Sequence, residues 1–462
     1  ESTTPSSIVS RSTANTGTAG EYVIGDVVWI TATDFIAGGR KDSDSNKAKR
    51  FYGKVNSGGT ITLYSENILG NNNSDIWNTR FATDTSTEIF LAILMNDGAN
   101  DVYIRAGEVN SNNTGVTFGA PWYDGIGSGQ YASAVASNNN GEYMIGFIAS
   151  DNQMHFKTIT VNSSTLATTQ SSSGSFSTFT AVNAENTMSM IYVPSVGMYW
   201  TVMVITGNYM RSAWIKSNGT GSAPTCTTDS GVITSGHLGT KPWLSLDPST
   251  GKVILSYKSH NSSRPSARVL TITGSSSSPA VPTFSSETQL TTESCDDIRH
   301  TWARDAASGN GKAVFYIFGD DTHIKCYTLS GTTLSDANNN LTLFAGVDYQ
   351  YSGIDANPST GRVITATRDE GNSNRLDFNC IDIPLTTTNF TTKNFIGFSA
   401  GAYSDTNTAT INVVGNTTTQ SSLTPAQKYY VQSDGTIALT AHSVGSVFAG
   451  TSLSSTKLLI KG

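Results

Sequence analysis

Seven times along the 462 residues an aliphatic side chain closes a short alternating stretch and a polar turn follows, at Val55, Val109, Val161, Ile215, Ile272, Leu329 and Ile383. The intervals between successive anchors, in sequence number, are 54, 52, 54, 57, 57 and 54. A strand-built period of roughly 40 to 60 residues is what propeller blades leave in a sequence. The turns after these anchors resemble one another, among them Asn56-Ser57-Gly58, Asn110-Ser111, Asn218-Gly219-Thr220 and Ser330-Gly331-Thr332. Asn and Gly there supply the positive φ that tight hairpins require.

A second landmark keeps the same period. A turn precedes each strongly apolar stretch, at Gly25, Thr87, Gly141, Gly197, Gly251, Gly311 and Gly361, with offsets to its anchor of 30, 22, 20, 18, 21, 18 and 22. The stretches it opens include Val27-Val28-Trp29-Ile30, Phe90-Leu91-Ala92-Ile93 and Tyr143-Met144-Ile145-Gly146-Phe147. Two copies, Pro248-Ser249-Thr250-Gly251-Lys252-Val253-Ile254 and Pro358-Ser359-Thr360-Gly361-Arg362-Val363-Ile364, are separated by two anchor intervals. Tandem sandwich domains of about 100 residues would give that separation. Pro194-Ser195-Val196-Gly197, a single interval before the first copy, halves it and makes the unit one small sheet.

Each unit reads as four strands, with the second apolar enough to be buried on both faces. One such unit cannot hide two apolar faces alone, whereas seven closed into a ring can. The expected fold is therefore all-β, a seven-bladed β-propeller, with blades at 21–84, 85–127, 128–179, 180–239, 240–297, 298–349 and 350–394. Residues 1–20 form an N-terminal segment in which Ser7-Ile8-Val9-Ser10 offers a ring-closing strand, as residues 389–393 also do.

Only 14% of the residues are charged, against about 25% in ordinary soluble domains, and Ser, Thr, Asn and Gly take their place. Such surfaces suit extracellular or virion proteins. The net charge of −7 and the lack of any polybasic run argue against nucleic acid as a partner. No apolar run is long enough for membrane insertion. The chain begins at Glu1 with neither Met nor signal peptide, as expected of a processed or trimmed form. Four cysteines, Cys226, Cys295, Cys326 and Cys380, are too few for a disulfide scaffold and read as free, mostly buried residues.

Chemistry is expected at the loops between second and third strands, which share one face of a propeller. These carry or border Asp42, Asp44, Asp97, Asp101, Asp151, Tyr209, Asp320, Asp321, His323, Asp369 and Glu370, a candidate binding rim for sugars. Turn geometry alone also favours Asp and Asn at hairpin tips. Asp42, Asp44 and Asn46 open like a calcium loop, but Lys47 replaces the Gly and Gly53 stands where the closing Glu belongs, so neither a metal nor another cofactor is expected. This first loop is expected to be the longest. The Gly-x-Ser-x-Gly, His-Glu-x-x-His and phosphate-loop motifs are missing from the sequence. Arg80, Arg299, Arg304, Arg368, Asp296 and Tyr349 are the residue types a sialidase-like site would use, without the turn motifs of such enzymes. No catalytic residue is assigned.

After residue 394 the pattern changes to five short strands with Gly-rich turns, a compact β module over 395–462. Its Gly397-Phe398-Ser399-Ala400, Leu423-Thr424-Pro425, Tyr429-Tyr430-Val431-Gln432, Gly450-Thr451-Ser452 and Leu458-Leu459-Ile460 resemble a C-terminal module of phage tail-fibre and other virion surface proteins. The repeat units are similar to those of marine tailed-phage fibres, chiefly in the Pro-x-Thr-Gly-Lys-Val phrase. That resemblance implies a non-enzymatic virion structural or host-recognition protein. Its partners would be other virion proteins or a host cell-surface glycan, with homo-oligomerisation through the C-terminal module. A secreted propeller lectin or glycoside hydrolase and a subunit of a non-viral extracellular filament remain as alternatives.

Overall fold

The computed structural model describes residues 8–16, 22–64, 66–69, 76–96, 101–124, 133–149, 151–176, 187–207, 209–232, 239–259, 262–304, 311–319, 321–345, 349–369, 374–383, 395–401, 408–432, 436–441 and 447–461. It divides into two units. The larger holds Pro5–Arg304 and Gly311–Leu385; the smaller holds Glu1–Thr4, Asp305–Asn310 and Thr386–Gly462.

The larger unit is all-β and built from small antiparallel sheets. The first sheet runs Tyr22–Trp29, Asp34–Lys41 and Lys47–Val55, then a fourth strand in two pieces, Ile61–Leu63 and Asn67–Ile68. Six more sheets repeat this meander, with first strands Ile76–Asp84, Ser133–Ser137, Met188–Val193, Gly239–Leu246, Asp297–Arg304 and Tyr349–Ala356. These inner strands touch in sequence order, and the seventh touches the first.

Second strands carry continuous apolar runs because both their faces are covered. Every residue of Met198–Ile205 is buried, and so are Ile89, Phe90, Leu91, Ala92, Ile93, Leu94 and Met95. Seven apolar clusters result, each shared by two adjacent sheets. One of them joins Phe35 and Phe51 of the first sheet to Phe378 and Cys380 of the seventh, so the ring closes through core packing.

Close approach at the centre depends on glycine. A Cβ on Gly25 would sit 2.1 Å from the Thr79 carbonyl oxygen of the second sheet, and one on Gly353 would sit 2.5 Å from the Val27 nitrogen of the first. Neither gap admits a side chain. The Pro-Ser-Thr-Gly phrase is the turn between first and second strands. Asp247 Oδ1 accepts from Ser249 N at 2.9 Å, and Asn357 Oδ1 accepts from Ser359 N at 2.9 Å and Thr360 N at 3.0 Å. Gly251 and Gly361 then take φ of 69° and 70°, the left-handed region that a Cβ disfavours.

Three expectations change. Gly25 lies inside the first strand, at a register shift between Ile24 and Asp26, and the turn falls at residues 31–33. The stretch 27–30 therefore belongs to the first strand and its end, and the offset from turn to Val55 falls into line with the other sheets. The connection after Asp34–Lys41 is then residues 42–46 and not an extended loop. Ile76–Asp84 opens the second sheet, which moves that boundary back from residue 85.

The strand Val9–Asn15 supplies the fourth strand of the seventh sheet, pairing Val9 with Asp382 and Asn15 with Asp377. Residues 389–393 lie outside the described residues. Arg11 Nε meets Asp382 at 2.6 Å, and Ser12 Oγ donates to the Gly59 carbonyl of the first sheet at 2.8 Å, so this strand ties the last sheet to the first.

The smaller unit has a two-stranded ladder, Phe398–Ser399 with Ile411–Asn412. Its five-stranded sheet has the order Thr417–Thr419, Lys457–Ile460, Phe448–Ser452, Lys428–Val431 and Ile437–Ala438. Leu423, Tyr429, Val431, Ala449 and Leu458 form its core. The Leu-Thr-Pro turn is held by Thr424 N donating to the Tyr429 hydroxyl at 2.7 Å.

Candidate functional site

The candidate rim residues sit where second strands hand over to third strands, and the charges of Asp42, Asp44, Asp151 and Asp369 are met inside their own hairpins. Arg40 Nε lies 2.5 Å from Asp42 Oδ1. Asp44 takes Lys49 Nζ at 2.6 Å and Lys47 Nζ at 3.2 Å, and these hydrogen bonds hold its carboxyl below the usual carboxylate range. The calcium-like opening is thus neutralised by its own lysines. Asp151 pairs with His155 at 3.1 Å; burial pushes its carboxyl up, while the Gln153 N–H and His155 outweigh this and bring it below the ordinary value.

Elsewhere on the rim, His323 Nε2 faces Glu293 at 3.2 Å and its Nδ1 faces Thr342 Oγ1 at 3.2 Å. Asp369, 1% exposed, ends its strand 3.7 Å from Arg375 Nε. Asp321 is half-buried at the start of Asp321–Ser330, and Tyr209, 39% exposed, begins Tyr209–Lys216. Asp101 begins Asp101–Val109. Asp97, Asp320 and Glu370 lie outside the described residues. Among the described residues no three His, Cys, Asp or Glu side chains gather as metal ligands.

A second polar assembly occupies the centre of the ring. The guanidinium carbons of Arg80 and Arg299 lie 5.0 and 4.2 Å from the ring centroid of Trp243, and Trp243 Nε1 donates to the His300 carbonyl at 2.9 Å. Arg80 Nη1 donates to the Gly25 carbonyl at 2.7 Å, and Arg299 Nη2 meets Asp297 Oδ2 at 3.1 Å. Both arginines are buried, at 3% and 1% exposure. Of the residue types a sialidase would use, these two do come together. Asp296 instead faces Lys258 at 3.7 Å, and Arg368 Nε donates to Asn374 Oδ1 at 3.0 Å.

Inner-strand carboxylates and hydroxyls stitch neighbouring sheets. Asp26 Oδ2 accepts from Phe81 N at 3.1 Å, Ser189 Oγ from Leu244 N at 3.1 Å, and Asp355 Oδ2 from Trp29 N at 2.9 Å. Burial pushes the Asp26 carboxyl up against the pull of Arg80, and pushes Asp355 up to about 7 with Asp26 adding to the rise. His300 is pushed down to about 3 by burial, so its imidazole is neutral near pH 7. Beside Asp26, Arg80, Ser189 and Trp243 lies a cavity of about 70 Å³. Small-molecule sites occupy roughly 300–1,000 Å³, so this one has room for a few waters at most.

All four cysteines are free; three are buried and Cys226 is half-buried. Burial pushes each thiol up to about 12, which keeps it protonated and unreactive near neutral pH. Sequence reasoning does not single out Trp243. Its only local sign is the alternation of Trp243-Leu244-Ser245-Leu246, which marks a strand without revealing which sheet it faces.

No family model matches the chain. No curated protein matches it in sequence. Among solved structures, AofleA from Arthrobotrys oligospora is similar at 8% identity with a TM-score of 0.46, over 74% of this chain and 91% of that one. A triple Arg→Ala variant of AofleA gives the same identity and score over 72% and 90%. A likeness at that identity and score carries no statement about ligand or activity.

Proposed function

We propose that the larger unit is a seven-bladed β-propeller and the smaller a C-terminal β assembly module, together forming a non-enzymatic virion surface or tail-fibre component. The propeller would present its loop face to a host-surface glycan or another protein. The cyclic contact of seven inner strands and the seven inter-sheet clusters support the propeller reading. Local ion pairing of the rim carboxylates supports a display surface more than a catalytic one.

The observation that carries the assembly role is the distribution of exposed apolar side chains. Seven large hydrophobics are exposed among the described residues, and five belong to the smaller unit: Ile396 at 71%, Val413 at 49%, Val414 at 60%, Leu439 at 51% and Leu453 at 56%. Ile396, Val413 and Val414 flank the same two-stranded ladder, where Phe398 pairs with Asn412. A small unit with so limited a core gains stability by covering such residues against another chain. The motifs that resemble virion modules supply that core, through Leu423, Tyr429, Val431 and Leu458.

Light scattering on the full chain and on a chain ending at residue 394 tests this reading. The full chain is expected to be a homo-oligomer and the shortened chain a soluble monomer that retains its fluorescence spectrum. Equal subunit number in both would overturn the assembly role.

A further inference from the structure

A second pair of arginines shares an aromatic ring, at the outer part of the interface between the first and second sheets. The guanidinium carbons of Arg50 and Arg105 each lie 4.6 Å from the ring centroid of Phe118. Arg50 stands on Lys47–Val55 with the same parity as Ala48 and Tyr52, which belong to the apolar cluster between these two sheets. Arg105 stands on Asp101–Val109 with the parity of Tyr103 and Val109, which pack against that cluster from the other side. The two charges therefore meet because two sheets meet. Arg105 is anchored across the seam, donating through Nη1 to the Leu69 carbonyl at 3.0 Å and through Nε to the Gly119 carbonyl at 3.2 Å.

Arg50 differs from six other arginines of this unit, Arg11, Arg40, Arg268, Arg299, Arg362 and Arg375, which are paired with carboxylates. The half-buried guanidinium of Arg50 has no carboxylate and no hydrogen-bond acceptor among the described residues, and its Nε is buried without a partner. Burial, and then repulsion from Arg105, push it down to about 10, which still leaves it charged near neutral pH. Half-buried cations are ordinarily paired, because desolvation without a counter-charge is costly. In a chain with 35 acidic residues and a net charge of −7, an unpaired arginine beside a second arginine is a local reversal of sign.

We propose that the crevice formed by Arg50, Phe118 and Arg105 binds the oxyanion substituent of an acidic glycan. A guanidinium offers a planar fork of N–H donors that matches a carboxylate or sulfate oxygen pair. Both guanidinium groups lie 4.6 Å from the Phe118 centroid, and Arg105, already anchored, adds charge and field. The negative charge of the whole chain repels polyanions elsewhere, so binding is confined to this crevice. The inference deepens the proposed recognition of a host-surface glycan and rests on that reading.

Calorimetric titration of the full chain tests it with four probes: oligogalacturonate, sulfated dextran oligomers, neutral maltooligosaccharides and poly-aspartate. Binding of one or both acidic glycans, weakening with added salt and absent for the neutral oligomer, is expected; the better of the two identifies the oxyanion. Arg50→Gln is expected to weaken it at least tenfold, and Arg50→Lys by less because it keeps charge and loses the fork. Should Arg50→Gln fail to fold, Arg105→Gln provides the same comparison. Failure of both acidic glycans to bind, or an effect of Arg50→Gln below twofold, overturns the proposal. Equal or tighter binding of poly-aspartate with the same Arg50 dependence also overturns it, assigning the crevice to an acidic peptide. These readouts are independent of subunit number, so the crevice and the assembly module fail separately.

Discussion

Trp243 is the residue at which the ring centre is most exposed to test, because its substitution separates a hydrogen bond from a pair of cation–π contacts. Trp243→Phe keeps an aromatic face for Arg80 and Arg299 but removes the Nε1 donor to the His300 carbonyl, 2.9 Å away. His300 is 1% exposed, and leaving a buried acceptor unsatisfied costs about 1–3 kcal/mol. Trp243→Leu loses the same donor and also both π contacts, worth about 1–2 kcal/mol each when desolvated. The leucine variant should therefore be less stable than the phenylalanine variant by about 2 kcal/mol or more. Urea unfolding followed by tryptophan fluorescence reads this cleanly. All seven tryptophans, Trp29, Trp77, Trp122, Trp200, Trp214, Trp243 and Trp302, lie in the larger unit, and six remain in either variant. The midpoint should fall with an unchanged m value. If the two variants agree within about 0.5 kcal/mol, the smallest difference the method separates, the arginines draw nothing from the ring and the stacking argument is refuted.

Two further outcomes follow from the seam between the first and last sheets. The Asp355 carboxyl has an ordinary value of 3.8 and is raised to about 7 in the folded chain, so the fold holds its proton more tightly. Its contribution is greatest below pH 4, declines as pH rises towards 7 and is flat above, a loss on the order of 4 kcal/mol at most. Asp355→Asn keeps one acceptor where the carboxyl serves both Trp29 N and Ala356 N, so it should be less stable than wild type at pH 5 and more stable at pH 8; parallel pH profiles would sink this. Deleting residues 1–16 removes the strand that covers Asp377–Asp382, together with the buried Ile8 and the Arg11–Asp382 pair. A loss of about 3 kcal/mol or more is expected, with self-association through the bared edge, and an unchanged melting temperature with monomeric elution would refute it.

The sequence reveals most where the constraint is local and repeated. Apolar runs such as Met198–Ile205, the Asx turns before Gly251 and Gly361, and the aliphatic anchors at third-strand ends are each written within a single strand or turn. The first sheet escapes such reading because Gly25 looks like a turn. It is an inner-strand glycine required by the Thr79 carbonyl of the next sheet, and that contact has no local signature. The ring-closing strand is legible in Ile8-Val9, whereas its continuation through Asn15 is not, since Ser10, Arg11, Ser12 and Thr13 are polar and are ordered by the ladder with Asp377–Asp382 and by side-chain bonds to Asp382, Gly59 and Asn379.

The same distinction governs where a binding site can form. Asp42, Asp44 and Asp151 each lie within a few positions of a basic partner on their own hairpin, Arg40, Lys47 and His155. Hairpin geometry brings such neighbours together before any ligand arrives, so an acidic sequence pattern at loop tips loses its charge to local pairing. Arg50 and Arg105 come from corresponding third strands of adjacent sheets, and Arg80 and Arg299 from the inner strands of the second and sixth sheets. At the centre the ring supplies Asp297 as a counter-charge to Arg299 and the Gly25 carbonyl as an acceptor for Arg80, and leaves a space of about 70 Å³, so that pair serves the fold. At the crevice it leaves Arg50 with no counter-charge among the described residues. Recognition is therefore to be sought where ring closure forces like charges together and leaves one of them without a counter-charge from the protein.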